Sequence, residues 1–196
     1  IVWLDKRQAK GEPKIVGPMK HILKLMGMEE FFSLQYKKSQ CNWIREEQPE
    51  IWEKTHKFLM LPTYLSFKLT GKFADAAASL VGHIPFDNKT RTWKGPKDVA
   101  RPIFDIPAEM LPDVVETGNL IGTLTPQACE DLGLPEGIPV YPAGADKACE
   151  VIGLGCTKKE QVAMSFGTMA TMDFTSADYY EMRKNMAPYP SVVPGS

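Results

Sequence analysis

The sequence has no C-x-x-C pair; its four cysteines, Cys41, Cys129, Cys149 and Cys156, stand far apart or in unlike surroundings. That spacing offers no zinc site, and no metal-ligating residues are predicted. A secretory leader is missing, and no apolar run approaches the roughly 18 residues of a membrane span. Reduced thiols in a cytoplasmic protein are the simplest reading, with no membrane partner. An excess of either charge is also missing: 23 Lys and Arg face 24 Asp and Glu, for a net charge of -1. No basic face for nucleic acid follows from that balance. The pairs Lys37-Lys38 and Lys158-Lys159 read as solvated surface. No internal repeat, no low-complexity segment and no G-x-x-x-x-G-K-[ST] phosphate loop are found.

What is present is an ordinary globular composition, 43% hydrophobic and 24% charged over 196 residues, enough for one large domain or one domain and part of another. The chain opens on the apolar, strand-like Ile1-Val2-Trp3-Leu4 without Met and closes on a Pro-rich run from Pro188 to Ser196. Both ends read as cut, so a fragment of a longer protein is expected. Apolar spacing predicts helices over 18–30 and about 34–47, with a short helix start after Pro49. Residues 57–61 read as a strand, and Pro62 opens a helix that Thr70-Gly71 ends. Residues 98–104 read as helical.

The text is more regular from Val114 onward. An extended stretch over 118–125 leads to a helix from Pro126 to Leu132, stopped at Gly133. Leu134 to Gly137 is a turn and Ile138 to Ala143 a short buried strand. Gly144-Ala145-Asp146 turns into a helix ending near Gly153 or Gly155. Two strands, 161–166 and 170–174, flank Gly167-Thr168-Met169 as a hairpin. Alternating strands and helices argue for an α/β fold.

Two places carry candidate chemistry. Asp146 lies at a strand-to-helix junction, where unpaired N–H groups and the positive helix end favour a carboxylate. Aimed into a cleft at the sheet edge, it can accept a hydroxyl proton. Gly144 would allow the tight turn and leave room for a ligand. The competing reading makes Asp146 a simple helix cap. In the hairpin, Gly167 frees backbone N–H groups to face an anion and Thr168 adds a hydroxyl donor. An ordinary hairpin turn competes here too. His83 reads as packed or at the surface, as do His21 and His56, and Trp43, Trp52 and Trp93 as packing residues.

Taken in order, Gly118-x-x-x-Gly122-x-Leu124-Thr125-Pro126, Leu132 to Val140, Ala143-Gly-Ala-Asp146, Gly153-Leu-Gly155 and Ser165-Phe-Gly-Thr168 resemble the FGGY family of carbohydrate kinases, in its xylulokinase-like branch. Ile1-Val-Trp-Leu-Asp-Lys-Arg7 looks like that family's W-x-D-x-R strand end. Tyr64-Leu65, Leu69-Thr-Gly71 and Asp75 match the block that follows. The resemblance implies an incomplete ribonuclease-H-like domain of the actin and hexokinase type over 1–157, which binds the sugar. The start of a second such domain, for the nucleotide, would span 158–196. It implies ATP and Mg2+, Asp146 as catalytic base, and Lys147, Asp5 and Trp3 near the substrate; packing for Trp3 and a turn or salt bridge for Asp5 compete with that reading. Gly167 and Thr168 would bind nucleotide phosphate.

The implied reaction is ATP-dependent phosphorylation of a sugar hydroxyl, on a ketopentose such as xylulose or ribulose. Glycerol or another polyol is the alternative, as is an inactive relative that binds sugar or nucleotide. The implied partner is a small-molecule sugar, with a homodimer possible for the full-length protein. The fragment alone is expected to be inactive. Departures from the family pattern fall at Gln40, where a Lys is familiar, at Lys147, where xylulokinases often carry Asn, and at His83 to Asp87, which has no assigned role.

Overall fold

The computed structural model describes residues 5–98, 100–167, 170–182 and 187–195. Those residues form two compact units interleaved along the chain. The first takes Ile1–Phe58, Gly82–Asp87 and Trp93–Leu111; the second takes Leu59–Val81, Asn88–Thr92 and Pro112–Ser196.

The first unit is helical. Its helices are α1 (Pro18–Leu25), α2 (Glu29–Lys38), α3 (Gln40–Glu47), α4 (Pro49–Glu53) and, later in the chain, α6 (Arg101–Phe104). Pro18 and Pro49 sit in the first turns of their helices, where a missing N–H costs nothing. The core gathers Leu23, Phe32, Tyr36, Cys41, Ile103, Phe104 and Ile106, with Trp43, Trp52 and Trp93 packed against it. Asn42 is buried among them, its amide donating to the carbonyls of Tyr36 at 3.0 Å and Ile103 at 2.6 Å. Burial raises the Cys41 thiol to about 11, so it packs as a thiol. His83 is also a packing residue: its Nδ1 lies 2.6 Å from Gln35 Oε1, and burial pushes its pKa down.

Three expectations change here. The helix expected over 18–30 stops at Leu25, and Gly27 just beyond it takes a left-handed φ of 65°. The helix expected over 34–47 is two helices, broken at Ser39. Ser39 is extended (ψ 119°), and its hydroxyl donates to the His83 carbonyl at 2.9 Å. Residues 57–60 form no strand; the Phe58 N–H instead bonds the Met110 carbonyl at 2.8 Å.

The second unit mixes helices and strands. Helix α5 (Leu61–Thr70) ends at Gly71, whose φ of 72° is the left-handed stop expected there. Strand β1 (Ala74–Ala76) is buried at all three positions, and a single 3₁₀ turn over 77–79 follows it. Between them and the next strand of this unit, the chain passes through β2 (Phe86–Asp87) and β3 (Thr92–Trp93). Strand β4 (Asp113–Val115) pairs with β1 in parallel, Asp75 opposite Val114. Strand β5 (Gly122–Thr123) pairs antiparallel with β6 (Pro139–Val140). Helix α7 (Pro126–Leu132) lies between them in sequence, with Thr125 Oγ1 capping the Ala128 N–H and Gly133 ending it. Helix α8 (Asp146–Gly153) and the hairpin of β7 (Ala163–Phe166) and β8 (Ala170–Asp173) complete the order. Alternation of α and β elements in this unit agrees with the α/β reading.

Candidate active site

Asp146 is the first residue of α8, and Ala145 occupies the cap position with no side-chain cap bond. Asp146 therefore does not occupy the cap position itself, although its carboxylate still meets a first-turn N–H. The Asp146 carboxylate is exposed, with Oδ1 accepting only from the neighbouring Lys147 N–H at 2.8 Å among the bonds found for it. An acidic group in a first helical turn gains from the unpaired N–H groups there. The residue thus stands at the start of α8 with its side chain facing solvent.

The backbone before it differs from expectation. The predicted buried strand over 138–143 shrinks to Pro139–Val140, and Pro139 is exposed. Pro139 and Pro142 lack the N–H a longer ladder would need. The chain is instead held by the Ala145 N–H, which donates to the Ala78 carbonyl at 2.9 Å. Gly144 does not leave room for a ligand. The space its Cβ would occupy is filled by Val192 Cγ1, with the methyls of Ala78 and Ala148 at 3.2 Å.

Lys147 joins α8 to the hairpin. Its Nζ donates to Glu150 Oε2 at 2.5 Å and to Ser165 Oγ at 3.3 Å. The Glu150 contact holds the ammonium pKa above its ordinary value. Ser165 sits in β7, two residues before Gly167, and pairs with Thr171. Gly167 is exposed, and open space surrounds the position of a Cβ. Asp146, Lys147 and Gly167 all belong to the second unit. Thr168 lies outside the described residues.

Asp5 belongs to the first unit, and Trp3 lies outside the described residues. The Asp5 carboxylate is held by Arg7, whose Nε lies 2.9 Å from Oδ1 and whose Nη2 lies 2.5 Å from Oδ2. That pairing lowers the Asp5 carboxyl to about 2. Arg7 in turn lies 3.9 Å over the Trp43 ring. A sugar contact by Asp5 would have to share it with this guanidinium.

Sequence reading gave no structural role to two residues that shape the second unit. Asp75 is 2% exposed and accepts from Thr63 Oγ1 at 2.9 Å and from the Ala76 N–H at 2.8 Å. Val192 packs with Ala76 and Ala78 beside Ala148 and Cys149. The Ala-rich run 76–78 was the available signal, since small residues allow another segment to approach closely. Nothing local to Val192 announced its partner, about fifty positions away in sequence. Among the described residues, no cluster of three or more His, Cys, Asp or Glu is placed to hold a metal.

Comparison with known proteins bears on the family and the fold. A profile of the FGGY family of carbohydrate kinases, N-terminal domain, matches residues 1–153. The chain is 35% identical over 130 residues to a xylulose kinase of Bacillus subtilis, covering 64% of this chain and 25% of that protein. It is 33% identical over 135 residues to an L-fuculokinase of Escherichia coli, covering 69% and 28%. Among solved structures, xylulose kinase from Rhodospirillum rubrum matches with a TM-score of 0.68 at 23% identity, covering 80% of this chain and 31% of that one. Gluconate kinase from Lactobacillus acidophilus matches with a TM-score of 0.65 at 19% identity, covering 82% and 34%. The chain thus spans about a quarter to a third of the length of these relatives. The fold is part of the ribonuclease-H-like, actin and hexokinase type, and the chain belongs to the FGGY family of carbohydrate kinases.

Proposed function

We propose that the full-length protein containing this chain transfers the γ-phosphoryl group of ATP to a sugar hydroxyl, with Asp146 as general base. The substrate proposed first is a ketopentose such as xylulose or ribulose. The observation that carries the reading is the Asp146 carboxylate, placed in the first turn of α8 and exposed, with the cap position itself held by Ala145. In the step assigned to it, a carboxylate oxygen takes the hydroxyl proton while the sugar oxygen forms its bond to phosphorus. The bond from phosphorus to the bridging oxygen of ADP breaks. Such a base contributes on the order of 10²–10⁴-fold, and most of the remaining catalysis is positioning and charge neutralisation.

The other residues take supporting roles in this reading. Lys147 faces the substrate or a phosphate and is tethered by Glu150 and Ser165 until a ligand competes. Gly167, with Thr168, lets phosphate oxygens come close to backbone N–H groups; its open surroundings suit that approach. ATP supplies the phosphoryl group when bound. Mg2+ would be held chiefly by the nucleotide phosphates with one or two carboxylates, and would neutralise phosphate charge there; among the described residues no cluster of three or more His, Cys, Asp or Glu is placed to hold a metal. Asp5 and Trp3 border the sugar. A domain boundary near 157 and 158, a cytoplasmic setting and a homodimer complete the proposal. The chain alone does not turn over, because it holds only a fraction of its relatives' length.

The test of substrate class is ADP release by the full-length protein across ketopentoses, aldoses, glycerol and other polyols. Turnover with xylulose or ribulose supports the reading. Turnover with glycerol alone moves it to a polyol kinase. Nucleotide binding without turnover on any of them would leave an inactive relative.

A further inference from the structure

Gly144 precedes Asp146 by two residues, yet its backbone is not in the left-handed region that calls for glycine. The reason for glycine there is steric. A Cβ at this position would collide with Val192 Cγ1 and crowd the methyls of Ala78 and Ala148. Val192 is 9% exposed, and Ala76 and Ala78 beneath it are fully buried. The segment that carries Val192 is itself tied down. Thr117 Oγ1 donates to the Ser191 carbonyl at 3.2 Å, and the Val193 N–H donates to Ser191 Oγ at 3.0 Å. From the other side, Ala78 accepts the Ala145 N–H. Residues 143–145 are thus gripped between a turn and a side chain from a distant segment.

We infer that Val192 is a positioning residue for Asp146: its side chain fills the notch left by the missing Cβ of Gly144 and fixes the backbone from which the carboxylate projects. The inference rests on the reading of Asp146 as the base. Displacing that carboxylate by a fraction of an ångström to about 1 Å costs up to 10²-fold in rate. The protein, by this account, uses a contact formed late in the chain to set the geometry of a residue nearly fifty positions earlier.

The test uses Gly144→Ala, Val192→Ala and the double variant in the full-length protein. Gly144→Ala lowers kcat on the order of 10²-fold and leaves KM for sugar and ATP within about threefold. Adding Val192→Ala makes room for the new methyl, and kcat recovers at least about tenfold over Gly144→Ala. Amide exchange at Ala145 also quickens about tenfold in Val192→Ala alone. A purely structural clash would lower the yield of folded protein without changing kcat per folded molecule. A double variant no faster than Gly144→Ala, with wild type active and Asp146→Asn inactive, overturns the inference alone. Unchanged Ala145 exchange in Val192→Ala overturns it without reference to activity. An inactive wild type instead defeats the reading of Asp146 on which it rests.

Discussion

Removing the buried carboxylate of Asp75 is the sharpest test of how the second unit is held. Asp75 is 2% exposed, and two of its donors, the Thr63 hydroxyl and the Ala76 N–H, belong to residues that are 0% exposed. Asp75→Ala leaves both donors unpaired and out of reach of water. Each costs about 1–3 kcal/mol, or about 2–6 kcal/mol together. Relief of the buried charge offsets part of that sum. Asp75→Asn keeps an oxygen for Ala76 and offers an amide to Thr63, so it costs about 1 kcal/mol. The pH dependence follows from burial, which holds the Asp75 carboxyl above its ordinary 3.8 against the opposing hydrogen bonds from Thr63, Ala76 and Ser79. A raised folded-state pKa contributes stability that is complete below the unfolded value and is lost as pH rises through the folded value. Asparagine has no such dependence, so the gap between wild type and Asp75→Asn narrows as pH rises. The assay is amide exchange across the β1–β4 ladder, corrected for intrinsic rates, over a pH series starting near the ordinary carboxyl value. An Asp75→Ala variant as stable as Asp75→Asn, or a gap that widens with pH, would refute the reasoning.

Two further predictions concern local features. Thr125→Ala removes the side-chain bond to the Ala128 N–H and destabilises the unit by about 1 kcal/mol in chemical denaturation. A change below a few tenths would mean the cap is made by water instead. The pair of Asp5 and Arg7 keeps its carboxylate ionised down to pH about 2. Because the folded pKa is depressed, its contribution is present above the unfolded value and fades as pH falls toward that number. Carboxyl chemical shifts through an acid titration check this, and a midpoint near the ordinary value would show the pair is not formed.

How far the sequence could be read depended on whether a feature was local. Pro126 to Leu132 announced both ends of its helix, through Thr125 at the cap and Gly133 after it, and the structure agrees. Gly71 likewise marked the end of α5 through its φ. The hairpin flanks were legible from alternation around Gly167. Tertiary effects were not legible. Ser39 reads as a neutral helix residue until His83 offers its carbonyl. Gly144 looks like a turn glycine until Val192 is placed against it. Asp146 stood out as a residue at a helix start, but only the structure places it one residue past the cap position with its side chain in solvent. Asp5 was read from its place at a strand end, with a turn or salt bridge as the competing role; that its partner is Arg7, two residues on, came from the structure.

The central claim is that Asp146 accepts the proton of the sugar hydroxyl. Asp146→Asn in the full-length protein keeps the size of the side chain and removes its basicity. Sugar-dependent ADP release that falls on the order of 10²–10⁴-fold, with folding and nucleotide binding intact, is the result predicted. Release at the wild-type rate would contradict the account, leaving Asp146 as a first-turn acid that only favours the helix.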